Sequence, residues 1–130
     1  MPRRKIFWIS LAALMLITAL VLAEATVTEA VVCTGVEQRE PKGAAETFDA
    51  GVGQLFCFTR IEGAAGTTIK HAWYWRDALQ REISLPIGGS PWRTWSQKNI
   101  QPSQTGAWRV DVVAEDGAVL KSSNFTVGKK

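Results

Sequence analysis

Metal and redox chemistry have little to draw on in this chain. Its 130 residues contain two cysteines, Cys33 and Cys57, and one histidine, His71. There is no Cys-x-x-Cys and no Cys-x-x-Cys-His, so the spacings of zinc knuckles and haem attachment are missing. No Gly-x-Ser-x-Gly and no phosphate-cradling glycine motif occurs, which removes the usual signatures of a serine hydrolase or a nucleotide site. Heptads, fixed-period repeats and low-complexity blocks are also absent, excluding coiled coils and solenoids. The residues therefore predict no metal, no cofactor and no enzymatic activity.

The one long apolar run is at the N-terminus. Met1-Pro2-Arg3-Arg4-Lys5 is basic, and Ile6 to Ala23 is apolar except for Ser10 and Thr18. With Ala23-Glu24-Ala25 supplying an Ala-x-Ala site, residues 1–25 read as an apolar helix that is either a cleaved signal peptide or a retained membrane anchor. Both readings export the rest of the chain, with the basic end left in the cytoplasm. The expected location is outside the cytoplasm, free or tethered to the membrane that the chain crosses. Membrane contact then runs only through residues 6–23.

This segment also accounts for most of the charge. The chain has 15 Lys and Arg against 12 Asp and Glu, but without residues 1–25 the balance is 12 against 11. A nearly neutral remainder with no basic stripe gives no footprint for nucleic acid.

Residues 26–130 are enough for one domain with one core. Period-two alternation predicts strands at Val31–Val36, Gln54–Ile61, Ile69–Arg76, Arg81–Ile87, Trp92–Ser96, Ala107–Ala114 and Val119–Val127. Residues 37–53 read as a long polar loop, and Asp116-Gly117 as a hairpin turn. About seven short strands with no helix between them predict an all-β, immunoglobulin-like β-sandwich, with a small barrel as the alternative. In an oxidising compartment Cys33 and Cys57 are expected to pair, and closing a loop of about 25 residues would stabilise by roughly 3–4 kcal/mol.

Candidate surfaces centre on tryptophan. Trp73 and Trp108 sit mid-strand and are expected in the core. Trp92 and Trp95 flank Arg93 after the Gly88-Gly89-Ser90-Pro91 break. They read either as core with Arg93 and Arg109 stacked on indoles, or as a platform for a glycan or peptide. His71 shares a strand face with Trp73 and Trp75, which suggests a hydrogen-bonded structural histidine or a ligand contact. The expected ligand or partner surface is therefore His71, Trp75, Trp92, Arg93 and Trp95. Glu37, Glu40, Glu46 and Asp49 fall in the polar loop, where nothing holds two of them at the separation that glycoside hydrolysis needs.

Several of these segments form a pattern: Cys33-x-x-Val36-x-x-Arg39-Glu40-Pro41, Leu55-Phe56-Cys57-Phe58, His71-x-Trp73-Tyr74, Trp92-Arg93-Thr94-Trp95-Ser96-x-Lys98, Gly106-x-Trp108-x-Val110, and Asp116-Gly117 ahead of Phe125-x-Val127. This pattern, over about residues 30–128, resembles domain-of-unknown-function family 2914. The resemblance implies a bacterial exported domain, periplasmic or tethered to the inner membrane with the domain on the periplasmic side, and no particular activity. With no catalytic constellation, the expected function is a non-catalytic protein-interaction module of the cell envelope. Its alternative is glycan or other extracellular-ligand binding through exposed tryptophans.

Overall fold

The computed structural model describes residues 25–128. The predicted N-terminal helix lies outside them. Among the described residues ten strands form and no helix does. Seven are eight or nine residues long: β1 (Thr26–Cys33), β5 (Gln54–Glu62), β6 (Thr68–Trp75), β7 (Ala78–Pro86), β8 (Trp92–Asn99), β9 (Gly106–Val113) and β10 (Val119–Val127). Three are short: β2 (Gly35–Glu37), β3 (Glu40–Lys42) and β4 (Thr47–Phe48).

The long strands, together with β4, form two sheets ordered β1-β5-β8 and β4-β10-β9-β6-β7. Their inner faces meet as a β-sandwich with immunoglobulin-like strand order. Pairing is antiparallel except where β4 lies parallel to the end of β10.

Period-two alternation explains which side chains are inside. From β6, Ile69, His71 and Trp73 turn inward, and from β9, Trp108, Val110 and Val112 do the same; all six are at most 2% exposed. Leu55, Cys57, Thr59 and Ile61 line the facing side of β5 and are fully buried. At one end of the sandwich aromatic rings run together. Trp75 stacks on Trp108 at 6.2 Å and Trp108 on Phe125 at 5.9 Å, while Phe48 and Trp73 meet Phe125 edge-on. The expected core roles of Trp73 and Trp108 are observed.

The polar stretch 37–53 is more structured than its composition predicts. β2 and β3 form a hairpin whose two turn residues, Gln38 and Arg39, both have positive φ, 52° and 61°. That is a type I′ geometry, usually marked by Asn-Gly or Asp-Gly. Tertiary contacts replace the missing signal: Arg93 Nη1 bonds the Arg39 carbonyl at 3.3 Å and pairs with Glu40 at 3.2 Å. The β6–β7 turn repeats the device with Arg76 and Asp77, at 51° and 67°. The Asp116-Gly117 turn forms as expected, with Asp116 Oδ1 accepting the Ala118 N–H at 3.0 Å.

The predicted disulfide is not formed: Cys33 and Cys57 are both buried free thiols. The β1–β5 register gives the reason. Val32 lies opposite Cys57, and Cys33 lies opposite Phe56. Directly opposed residues share a face, and a one-residue offset reverses it. Cys57 therefore joins Val32 in the inter-sheet core, whereas Cys33 points out of the other face, taking hydrogen bonds from the Gly35 and Lys42 backbone. Burial pushes both thiols above the ordinary cysteine range, furthest for Cys57. A thiol assay on the native chain is expected to find neither group reactive, and after denaturation to count two without any reductant. A count of zero would show that the bridge forms.

Candidate functional site

His71 is fully buried between the sheets, so it is not a surface contact. Four hydrogen bonds surround it, and their directions can be deduced. The Trp73 indole only donates, so at 3.0 Å Ser96 Oγ must accept its Nε1–H. Thr59 Oγ1 donates its proton to the Thr94 carbonyl at 2.8 Å. It must therefore accept from His71 Nε2–H, 3.2 Å away. Neutral His71 then has a bare Nδ1, which accepts Ser96 Oγ–H at 2.7 Å. Every proton in the chain Trp73, Ser96, His71, Thr59, Thr94 is used once.

A second proton on Nδ1 would leave Ser96 Oγ–H with no acceptor and place a cation in the core with no carboxylate beside it. Burial accordingly lowers the His71 pKa to about 4. The arrangement joins β6 to β5 and β8 across the sandwich.

The other expected surface residues are dispersed. Trp92 turns inward opposite Ile61 and packs against the Ile61, Ile69, Ile87 and Val112 cluster. The Gly88-Gly89 break is part of that packing: a Cβ on Gly88 would lie 2.8 Å from the Trp92 ring, and one on Gly89 at 3.3 Å. Trp95 turns to the opposite, outer face and stacks on Phe58 at 6.0 Å. Arg93 shares that face and holds the β2–β3 hairpin through Glu40. Trp75 is half-buried, with its Nε1–H on the Thr105 carbonyl at 2.9 Å.

The expected stacking of Arg93 and Arg109 on indoles is not formed. Arg109 lies 4.1 Å over Tyr74 and pairs with Asp77 at 2.6 Å and Asp111 at 3.2 Å. Arg76 stacks on Trp75 at 5.0 Å, and Lys98 lies 5.9 Å from the Trp108 ring. Arg109 and Lys98 are legible in the sequence only as charges, because Tyr74 and Trp108 come from other strands, whereas Arg76 stacks on its own chain neighbour.

A groove of about 610 Å³ runs between β1 and β10, lined mainly by small side chains such as Ala30, Ala44, Ala45, Ser122 and Ser123. No motif in the sequence marks it. Ser123 Oγ bonds the Ala30 carbonyl at 3.2 Å across its floor. Thr126 N–H and Gly128 N–H point to this flank and are taken by the Glu46 and Phe48 carbonyls. β4 pairs only with Thr126 and Val127. By the alternation of an antiparallel ladder, the backbones of Asn124 and Ser122 face the same way with no strand alongside. On the other wall, the Ala30 and Val32 carbonyls likewise turn to the groove, Val32 accepting Ala45 N–H at 3.2 Å. Among the described residues no three His, Cys, Asp or Glu side chains gather as a metal site.

Two stability tests follow from the His71 network. The unfolded imidazole gains its proton near pH 6.5, and the folded one only near pH 4. Stability from neutral His71 is complete above the higher value and falls as pH drops through the window, by roughly 3 kcal/mol in all. Urea midpoints at several pH values should show this slope in the native chain and a flatter one in His71→Gln. Ser96→Ala strands the Trp73 N–H and the His71 Nδ1, and should cost about 2–5 kcal/mol in the same assay. A loss below about 0.5 kcal/mol would remove the network from its structural role.

No curated protein matches the chain. Among solved structures, the chain is similar to the CARDB domain of the PF1109 protein from Pyrococcus furiosus, crystallised in complex with di-metal ions, at 14% identity and a TM-score of 0.52. The match covers 87% of this chain and 100% of that one, and at that identity it is a likeness of fold. The family model described as a protein of unknown function, DUF2914, matches residues 66–127. The motif segments around Cys33 and Leu55 lie outside that span, while those carrying His71, Trp92–Lys98, Trp108 and Phe125 lie within it. Residues 66–127, which span β6 to β10, are thus similar to DUF2914, the family that the motifs resemble.

Proposed function

We propose that this chain is a non-catalytic protein-interaction module of the cell envelope, and that it takes an extended segment of a partner protein into the β1–β10 groove. The observation that carries the reading is the unpaired edge of β10. A free edge offers main-chain N–H and C=O groups to an incoming strand, which supplies affinity without a shaped pocket. Small side chains along the groove let a second backbone approach closely. Glu46 and Lys121 at its rim offer one charge of each sign to the partner.

Export by residues 1–25 would put this edge on the periplasmic side. Glycan binding gains no comparable support, since Trp92 packs inward, Trp95 stacks on Phe58 and the Trp75 N–H is bonded. The metal ions of the CARDB crystal are a property of that protein and are not carried over.

Asn124→Pro tests the reading. It removes one N–H from the free edge and leaves the β9–β10 ladder intact, because Asn124 bonds away from β9. Stability should change by less than about 1 kcal/mol. A photocrosslinker at Lys121, in the full chain in envelope membranes, should join one defined partner, and Asn124→Pro should abolish that product. Amide exchange at Ser122 and Asn124 should slow when a peptide of the crosslinked segment is added. An undiminished product with Asn124→Pro, or retention on a glycan array with no crosslink at all, would overturn the reading.

A further inference from the structure

The opposite flank of the sandwich, where the free edge β7 passes the free edge β8, holds a second concavity with different chemistry. It encloses about 230 Å³ and is lined by Gln54, Gln80, Arg81, Gln97, Lys98 and Asn99. Two of these are cations, four are amides, and none is a carboxylate. No ion pair among the described residues reaches Arg81 or Lys98, as is also true of Arg39, Lys42, Arg76 and Lys121; only Arg81 and Lys98 of these share one concavity.

The fold brings these two charges together. Alternation along β8 turns Lys98 inward, opposite Leu55, with Nζ donating to the Asn99 carbonyl at 2.8 Å. That bond leaves two ammonium protons unused. Arg81 comes from β7, opposite Trp73. Like charges in one partly desolvated cleft repel. Burial, and then the Arg81 guanidinium, hold the Lys98 ammonium below the ordinary lysine range. The amides do not supply the missing negative charge, and two of their oxygens are already engaged: Asn99 Oδ1 accepts from Gln54 Nε2, and Gln80 Oε1 from Gln104 Nε2, both at 3.3 Å.

We infer that this cleft binds a single oxyanion group, phosphate or carboxylate, between the Arg81 guanidinium and the Lys98 ammonium. The guanidinium fork takes two oxygens and the ammonium a third, which suits an oxyanion better than a spherical halide. The space holds one such group and a few waters, each of about 30 Å³. The anion comes either free from solution or as the terminal carboxylate of a peptide. The inference is independent of strand addition at the β1–β10 groove, which lies on the other flank.

The test is a titration of the ¹⁵N-labelled full chain, followed by amide and indole shifts. The probes are sodium phosphate, a short peptide with a free C-terminus, and the same peptide amidated, each against sodium chloride at matched ionic strength. Saturable shifts are expected at Arg81, Lys98 and Asn99 and at the Trp108 Nε1–H. Arg81→Gln, an exposed change that spares the core, should weaken binding about tenfold or more, and Arg81→Lys should restore part of it. Lys70→Gln on the outer face should leave it unchanged. Tighter binding of phosphate assigns the cleft to a free oxyanion, and tighter binding of the free-ended peptide assigns it to a chain terminus. Shifts that match those of chloride, or that persist in Arg81→Gln, would overturn the inference.

Discussion

Two sheets that meet through apolar side chains can slide, because dispersion and apolar burial have little directional preference. In this sandwich a directed hydrogen-bond chain opposes sliding. Trp73 and His71 of β6 reach across to Ser96 of β8 and Thr59 of β5, and each proton has one acceptor. A shift of either sheet by one residue would expose all four polar groups to an apolar layer, at the desolvation cost of each. The register of the core, and with it the position of both flanks, depends on this network.

The flanks differ because the two sheets have different widths. The three-stranded sheet ends at β1 and β8, and the five-stranded sheet ends at the short β4, beside β10, and at β7. At β1–β10 the short β4 pairs with only the last residues of β10, so main-chain groups remain free. At β7–β8 the side chains of the two edges converge instead, bringing Arg81 towards Lys98. One flank thus offers backbone, and the other offers charge.

Much of the core was legible from alternation. Ile69, His71 and Trp73, and likewise Trp108, Val110 and Val112, were assigned to one face by period two and are buried there. The Asp116-Gly117 turn was legible from its residues. The β2–β3 hairpin was not, because Gln38-Arg39 carries no turn signature and is held by Arg93 from a strand over fifty residues away. The grouping of His71, Trp75, Trp92, Arg93 and Trp95 as one surface fails for a related reason. A strand's neighbours show which residues alternate, not which alternate face the partner sheet covers. Trp92 and Trp95 are three residues apart and so lie on opposite faces.

Sequence alone determined that residues 26–130 would form strands and not helices, since the period of the apolar residues admits no other regular structure. It also determined which tryptophans could pack centrally, and it carried the family resemblance. Only the tertiary structure decided the state of the cysteines. Each is a buried apolar-compatible residue in a strand, and their compatibility as a pair rests on a register that neither segment encodes by itself. Cys57 opposite Val32 and Cys33 opposite Phe56 place the sulfurs on opposite faces of one sheet. A single-residue offset between two strands thus converts an expected covalent tie into two separate thiols.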